Sequence, residues 1–175
     1  ALLNLVSTPD PRFAEVVAGL DCVETLVRVV QEYEVQFKAL AAELLGVLSS
    51  FDAAREDIKV FQGHSALLSV LHNTDDLQLM NSLLFALAKM AVDPEALEEV
   101  RMLGGVPLLL SLLDPARWQW AKGDENLVVS VCTAVTQFAL DDTTNEQIRL
   151  GNGVFLLGQL VASATWEGAH RRAAG

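Results

Sequence analysis

The sequence predicts an all-α protein built as a solenoid of stacked helical units. Three observations lead there. A pattern of a short amphipathic run, a break and an apolar run closing on two aliphatic residues occurs four times, at Val16–Val30, Ile58–Leu71, Val100–Leu113 and Ile148–Val161. The breaks fall at Cys22, Gly63, Gly105 and Gly153, at intervals of 41, 42 and 48 residues. Such spacing belongs to two- and three-helix solenoid repeats. Between these segments the apolar residues return at three- and four-residue steps, the period of a helix, and strand-like alternation bounded by hairpin turns is absent.

Taken in order, the elements justify themselves as follows. Residues 1–7 read as the remnant of a third helix. Asp10-Pro11 opens the first complete unit, residues 12–50, whose third helix is expected over Val35–Ser49. A second unit, residues 55–93, places its third helix over Asp75–Val92, with Leu77, Met80, Leu84, Leu87 and Ala91 on one face. Asp93-Pro94-Glu95 offers a capping carboxylate, a proline with a preset dihedral and an acid at the positive helix end. It opens the third unit, residues 96–141, which carries an insertion at 114–126 before a third helix over Glu125–Leu140. Thr143-x-x-Glu146 reads as a capping box at the head of an incomplete unit, residues 145–175. At each break the glycine is expected to turn the chain sharply between a short first helix and the second.

Two stretches carry a family resemblance. Met102–Leu113 reads Met-Leu-Gly-Gly-Val-Pro-Leu-Leu-Leu-Ser-Leu-Leu, and Ala1–Val6 reads Ala-Leu-Leu-Asn-Leu-Val. They resemble the armadillo repeat, with its glycine turn, Pro-x-Leu-Val-x-Leu-Leu second helix and Ala-Leu-x-Asn-Leu third helix. The resemblance implies a right-handed α-solenoid of armadillo-type three-helix repeats along nearly the whole chain. It also implies a concave groove lined by third helices, where a recurring Asn holds extended peptides. Aligning the third helices places Asn4, Gly46, Lys89 and Gln137 at the Asn position, and Ala42, Phe85 and Thr133 one turn earlier. With Asn81 these form the expected concave-face set. Only Asn4 keeps the family residue and no Trp accompanies it, so the ladder of the nuclear-import receptors is missing.

Individual positions admit two readings. Gly46 inside a helix implies close backbone approach by a ligand or a neighbouring helix, or else a neutral surface site. Phe85 is a stacking anchor or a core residue, and Lys89 faces an acidic or carbonyl-rich ligand or simply water. The insertion holds Arg117, Trp118 and Trp120, residue types that concentrate at interface hot spots, although its indoles could equally fold back onto the helices.

The remaining composition narrows the function classes. The formal charge of −11 argues against nucleic-acid binding, which calls for a basic face. Cys22 and Cys132 form no CxxC pair, so no zinc site or disulfide framework is expected and a reducing compartment fits. The apolar stretches are too interrupted for membrane spans. Gly63-His64-Ser65 lacks a nucleophile elbow, with His64 expected to decorate the turn. His72 and His170 stand alone, Asp75-Asp76 and Asp141-Asp142 lie at helix starts, and Gly151-Asn152-Gly153 is a turn. No enzyme and no cofactor or metal is therefore expected.

The function expected is a non-catalytic protein–protein interaction scaffold in a larger assembly, cytoplasmic and of the cytoskeletal or ciliary kind. The alternatives are a regulatory array attached to a kinase or ubiquitin ligase domain elsewhere in the chain, and a transport adaptor for extended peptides. Partners are expected to be other proteins, peptide segments or neighbouring subunits. Because apolar residues at both ends lack a neighbouring unit, further repeats of the same chain are expected to cover them.

Overall fold

A computed structural model describes residues 22–114, 125–160 and 162. These residues form ten helices and no strand. In chain order they are α1 (Cys22–Glu32), α2 (Val35–Leu48), α3 (Asp52–Val60), α4 (Gly63–Asn73), α5 (Leu77–Met90), α6 (Pro94–Met102), α7 (Gly105–Leu112), α8 (Glu125–Phe138), α9 (Asp142–Leu150) and α10 (residues 153–160). Two kinds of helix recur, each before or after the helices α1, α4, α7 and α10. Short α3, α6 and α9 begin at 52, 94 and 142, and the 14-residue helices α2, α5 and α8 begin at 35, 77 and 125. Among the described residues no helix is long and apolar enough to cross a membrane.

The helix starts follow local chemistry. Asp76, Asp93 and Asp141 are N-caps whose carboxylates accept from the backbone N–H of Leu79, Ala96 and Thr144 at 2.8, 2.9 and 2.8 Å. Each satisfies a donor that the first turn leaves without an intrahelical partner. Pro94 occupies the first turn of α6, as its sequence predicts. The expected capping box at Thr143 is corrected: the cap is Asp141, which also accepts from the Thr144 hydroxyl, and Glu146 pairs with Arg149 instead. An acid at the true cap position outcompetes a threonine two residues further on. The start at Asp10-Pro11 lies outside the described residues.

The turns between first and second helices differ from expectation in one respect. The left-handed residue is not the aligned glycine but the residue before it: Gln62 (φ 56°), Gly104 (φ 80°) and Asn152 (φ 61°). The aligned glycine opens the second helix, and close approach is its reason. A Cβ on Gly63 would lie 2.8 Å from the Ile58 side chain, and one on Gly105 would lie 2.5 Å from that of Val100 and 2.8 Å from its carbonyl oxygen. Gly153 meets Ile148 in the same way, at 2.5 and 2.8 Å.

The core runs between these helices. α5 lies between α2 and α8 and also packs on α4, while α1 packs on both α2 and α4. Nine of the fourteen residues of α5 are buried, so it presents far more than the single apolar face read from its periodicity. Flanked on two sides, such a helix must be apolar most of the way round. The α2–α5 contact is close at Gly46, where an added Cβ would stand 2.7 Å from Ala86 Cα and 3.4 Å from the Phe85 ring.

Two predictions follow from this packing. By helix propensity alone, Gly46→Ala would stabilise a helix by about 1 kcal/mol. The backbone of α5 leaves no room for the methyl group, so the substitution is expected to destabilise by about 1–3 kcal/mol, as overpacking does. Urea unfolding followed by circular dichroism gives the sign directly, and a stabilised variant would refute the close packing. The second concerns acid. Bonds from the backbone N–H and hydroxyl of Thr144 hold the Asp141 carboxyl below its ordinary value of 3.8. A depressed folded-state value contributes stability above that ordinary value and loses it as pH falls through the lowered one. The stability difference between the native chain and Asp141→Asn should therefore shrink below about pH 4. A difference that stays constant down to pH 2 would contradict the cap.

Candidate interaction groove

The side-by-side packing of α5 and α8 leaves a trough between them. It is lined by Leu84, Phe85, Ala88, Lys89 and Val92 from α5 and its end, and by Val129, Ser130, Thr133 and Gln137 from α8, enclosing about 380 Å³. On α5 the stripe that reaches the surface at Phe85 and Lys89 follows from helical geometry. Asn81, Phe85 and Lys89 are four residues apart and so lie one above another. Phe85 is 39% exposed on a helix otherwise largely buried, and the Lys89 Nζ sits 5.6 Å from its ring centroid. That is cation–π distance, and it holds the ammonium at the trough rather than leaving it free to sweep through water. The Thr133 hydroxyl donates to the Val129 carbonyl at 2.7 Å, a bond within α8 that leaves its lone pairs available. The Asn81 Oδ1 is enclosed without a hydrogen-bond donor. Among the described residues no carboxylate lines this trough.

The structure brings together Phe85, Lys89, Thr133 and Gln137, with Asn81 on the same stripe of α5. It does not bring Ala42 and Gly46 to that surface. Both are buried, Ala42 completely, and Gly46 faces Ala86. The correction is a matter of register. By their first residues, α2 and α5 are offset by 42 positions, so the counterparts of Phe85 and Lys89 are Glu43 and Val47. A slip of one residue rotates a helical position by about 100°, enough to carry a surface position into the interface. Glu43 and Val47 are half-buried, and Glu43 accepts a 2.7 Å bond from the Ser82 hydroxyl across the α2–α5 contact. Of the other expected contact residues, Asn4, Arg117, Trp118 and Trp120 lie outside the described residues.

A second cleft of about 420 Å³ separates α3 from α6 and is lined by charged groups. Lys59 reaches Glu95 at 2.6 Å, and Arg55 approaches Asp93 at 3.8 Å while bonding Asp52 and the Ser49 carbonyl. The hydrogen bond to Glu95, together with its charge, raises the Lys59 ammonium above its ordinary value. His64 corrects another expectation. It does not decorate the turn: it is 3% exposed, with Nδ1 2.8 Å from Glu99 Oε2. An ionised carboxylate only accepts, so Nδ1 carries the proton. The signal was out of reach of local reading because Glu99 lies 35 residues away. The Ser49 hydroxyl beside this cleft is committed to the Gly46 carbonyl at 2.8 Å. These groups satisfy one another across the boundary between units. Elsewhere, Cys132 is half-buried in α8, and burial pushes its thiol up, away from the reactive thiolate. Among the described residues no group of three or more His, Cys, Asp or Glu could hold a metal ion.

No family model matches the chain, and no curated protein matches it in sequence. Solved structures do resemble it. A crystal structure of an engineered protein from the Northeast Structural Genomics Consortium aligns with a TM-score of 0.78 at 25% identity, covering 93% of this chain and 63% of that one. A second engineered protein from the same consortium aligns with a TM-score of 0.76 at 25% identity, covering 91% of this chain and 38% of that one. The chain thus spans less than two thirds of either engineered protein. The all-helical fold is shared with both.

The cleft between α3 and α6 yields a prediction of its own. A double-mutant cycle on His64→Ala and Glu99→Ala should return a coupling of about 1 kcal/mol or more, because the pair is sheltered from solvent. The Arg149–Glu146 pair, with both side chains more than half exposed, should couple more weakly. Equal couplings in the two cycles would mean that burial adds nothing to the His64–Glu99 bond.

Proposed function

We propose that this chain is part of an armadillo-type array, a right-handed solenoid serving as a non-catalytic protein–protein interaction scaffold in a larger assembly. Partners would bind along the row of long helices α2, α5 and α8, with the trough between α5 and α8 as the principal contact. The observation that carries the reading is the surface of α5. On a helix with nine of fourteen residues buried, the exposed positions include an aromatic and a cation stacked one turn apart beside an apolar hollow. A half-exposed Phe costs solvation, and contact with a partner would recover it. Small apolar hollows with a few polar groups at the rim are what interface anchors fill.

The test begins from a partner identified by proximity labelling in cells, whose affinity is then measured by calorimetry. Lys89→Glu should weaken binding by about 1 kcal/mol or more while leaving the melting curve unchanged, since exposed charge swaps scarcely alter stability. The combined Trp118→Ala and Trp120→Ala variant should bind as the native chain does. The opposite pattern would move the contact to the insertion, and indifference to both would remove these two surfaces from consideration.

A further inference from the structure

The trough between α5 and α8 pairs two features that point to one kind of occupant. Lys59, Arg55, Arg101 and Arg149 each have a carboxylate partner, Lys38 bonds the Gln31 carbonyl, and Arg28 has no ion pair among the described residues but lies away from the trough lining. Lys89 has no carboxylate partner among the described residues and lies over the face of Phe85. A ring face attracts the charge but accepts no strong hydrogen bond, so the three ammonium donors remain unclaimed by protein groups. Beside them the hollow is walled by Leu84, Ala88, Val92 and Val129, of which Val92 is 73% and Val129 63% exposed. The trough therefore offers an uncompensated cation next to uncovered aliphatic surface.

We infer that the occupant of this trough is an extended segment of a partner protein carrying Asp or Glu two residues from a bulky aliphatic or aromatic side chain. The inference rests on the groove reading above and names the partner's chemistry. Lys89 lies in the last turn of α5, and Val92 follows three residues on, in the turn just beyond the helix end. An extended chain advances about 3.3 Å per residue and returns to the same face every second residue. Positions i and i+2 of the partner thus match the cation and the hollow together. The net charge of −11 opposes an acidic partner at long range, yet charges beyond about 8 Å are largely screened at physiological ionic strength. Among the described residues lining the trough, no carboxylate stands against the incoming acid. A basic segment would meet Lys89 at the same contact and gain no counter-charge.

The experiment pans a random dodecapeptide display library against the immobilised 175-residue chain. Enriched peptides are then synthesised with a fluorescent label and titrated by anisotropy. Enrichment of an acid–any–hydrophobe spacing is expected. Changing the peptide acid to its amide, or Lys89→Glu in the protein, should each weaken binding about tenfold. Replacing the peptide acid with lysine should restore binding to Lys89→Glu, a swap that a merely structural role for Lys89 would not produce. Val129→Asp should also abolish binding, and both variants must keep the native helical spectrum and melt. Peptides that are displaced by Val129→Asp but lack an acid, or ignore Lys89→Glu, would overturn the partner chemistry and leave the groove standing. Failure to enrich any peptide that senses Val129→Asp would overturn both.

Discussion

The contact between a glycine and the β-branched residue five positions before it sets the geometry on which the other helices depend. It occurs at Gly63 with Ile58, Gly105 with Val100 and Gly153 with Ile148. Because the glycine lacks a Cβ, the second helix can begin directly against the carbonyl and side chain at the end of the first. The angle between them is then fixed by hard contact rather than by a loop. Once that angle is set, the long helix that follows has one place to go, alongside the long helix of the preceding unit. The buried faces of α2, α5 and α8 are consequences of that placement. The left-handed residue before each glycine supplies the turn itself, a conformation that Gly104 adopts freely and Gln62 and Asn152 adopt against the usual steric preference.

Much of this was legible in the sequence, because glycine spacing and helical periodicity are local signals. From Gly63 onward the second helices begin at the residues where the repeated break was placed, and the three long helices lie within two residues of their expected bounds. What escaped notice was set at a distance. Gly46 looked like a groove position because it was matched to Lys89 by family register, whereas the helix starts show a one-residue offset that turns it onto Ala86. His64 looked like a turn ornament because its partner belongs to the next unit. The groove itself was half legible: Phe85, Lys89, Thr133 and Gln137 converge as expected, while Glu43 and Val47 were missed on α2. A lookup of residue types cannot find such positions, but counting from each helix start does.

Two hollows divide the chemistry of the surface. Between α3 and α6, charged groups face one another across a unit boundary and are largely consumed by mutual pairing. Between α5 and α8, polar groups are few and the apolar walls remain uncovered. Volume does not distinguish them, since they enclose about 420 and 380 Å³. The difference is one of satisfaction: most charged groups of the first cleft are paired with one another, whereas in the second Lys89 has no carboxylate partner among the described residues. Recognition belongs with the second for that reason.

The ion pairs between α3 and α6 also make the boundaries between units unequal. Arg55, Lys59 and His64 reach across to Asp93, Glu95 and Glu99. At the corresponding places on the next boundary stand Leu97, Arg101 and Val106 on one side and Asp141, Thr143 and Gln147 on the other. Among the described residues no ion pair within 4 Å spans that second boundary; Arg101 and Asp141 sense each other only through their charges. The two joints therefore answer differently to salt: added salt screens the exposed pairs at the first, whereas the second, where Gly151 and Gly153 pack on Leu110, holds by apolar contact that salt leaves intact.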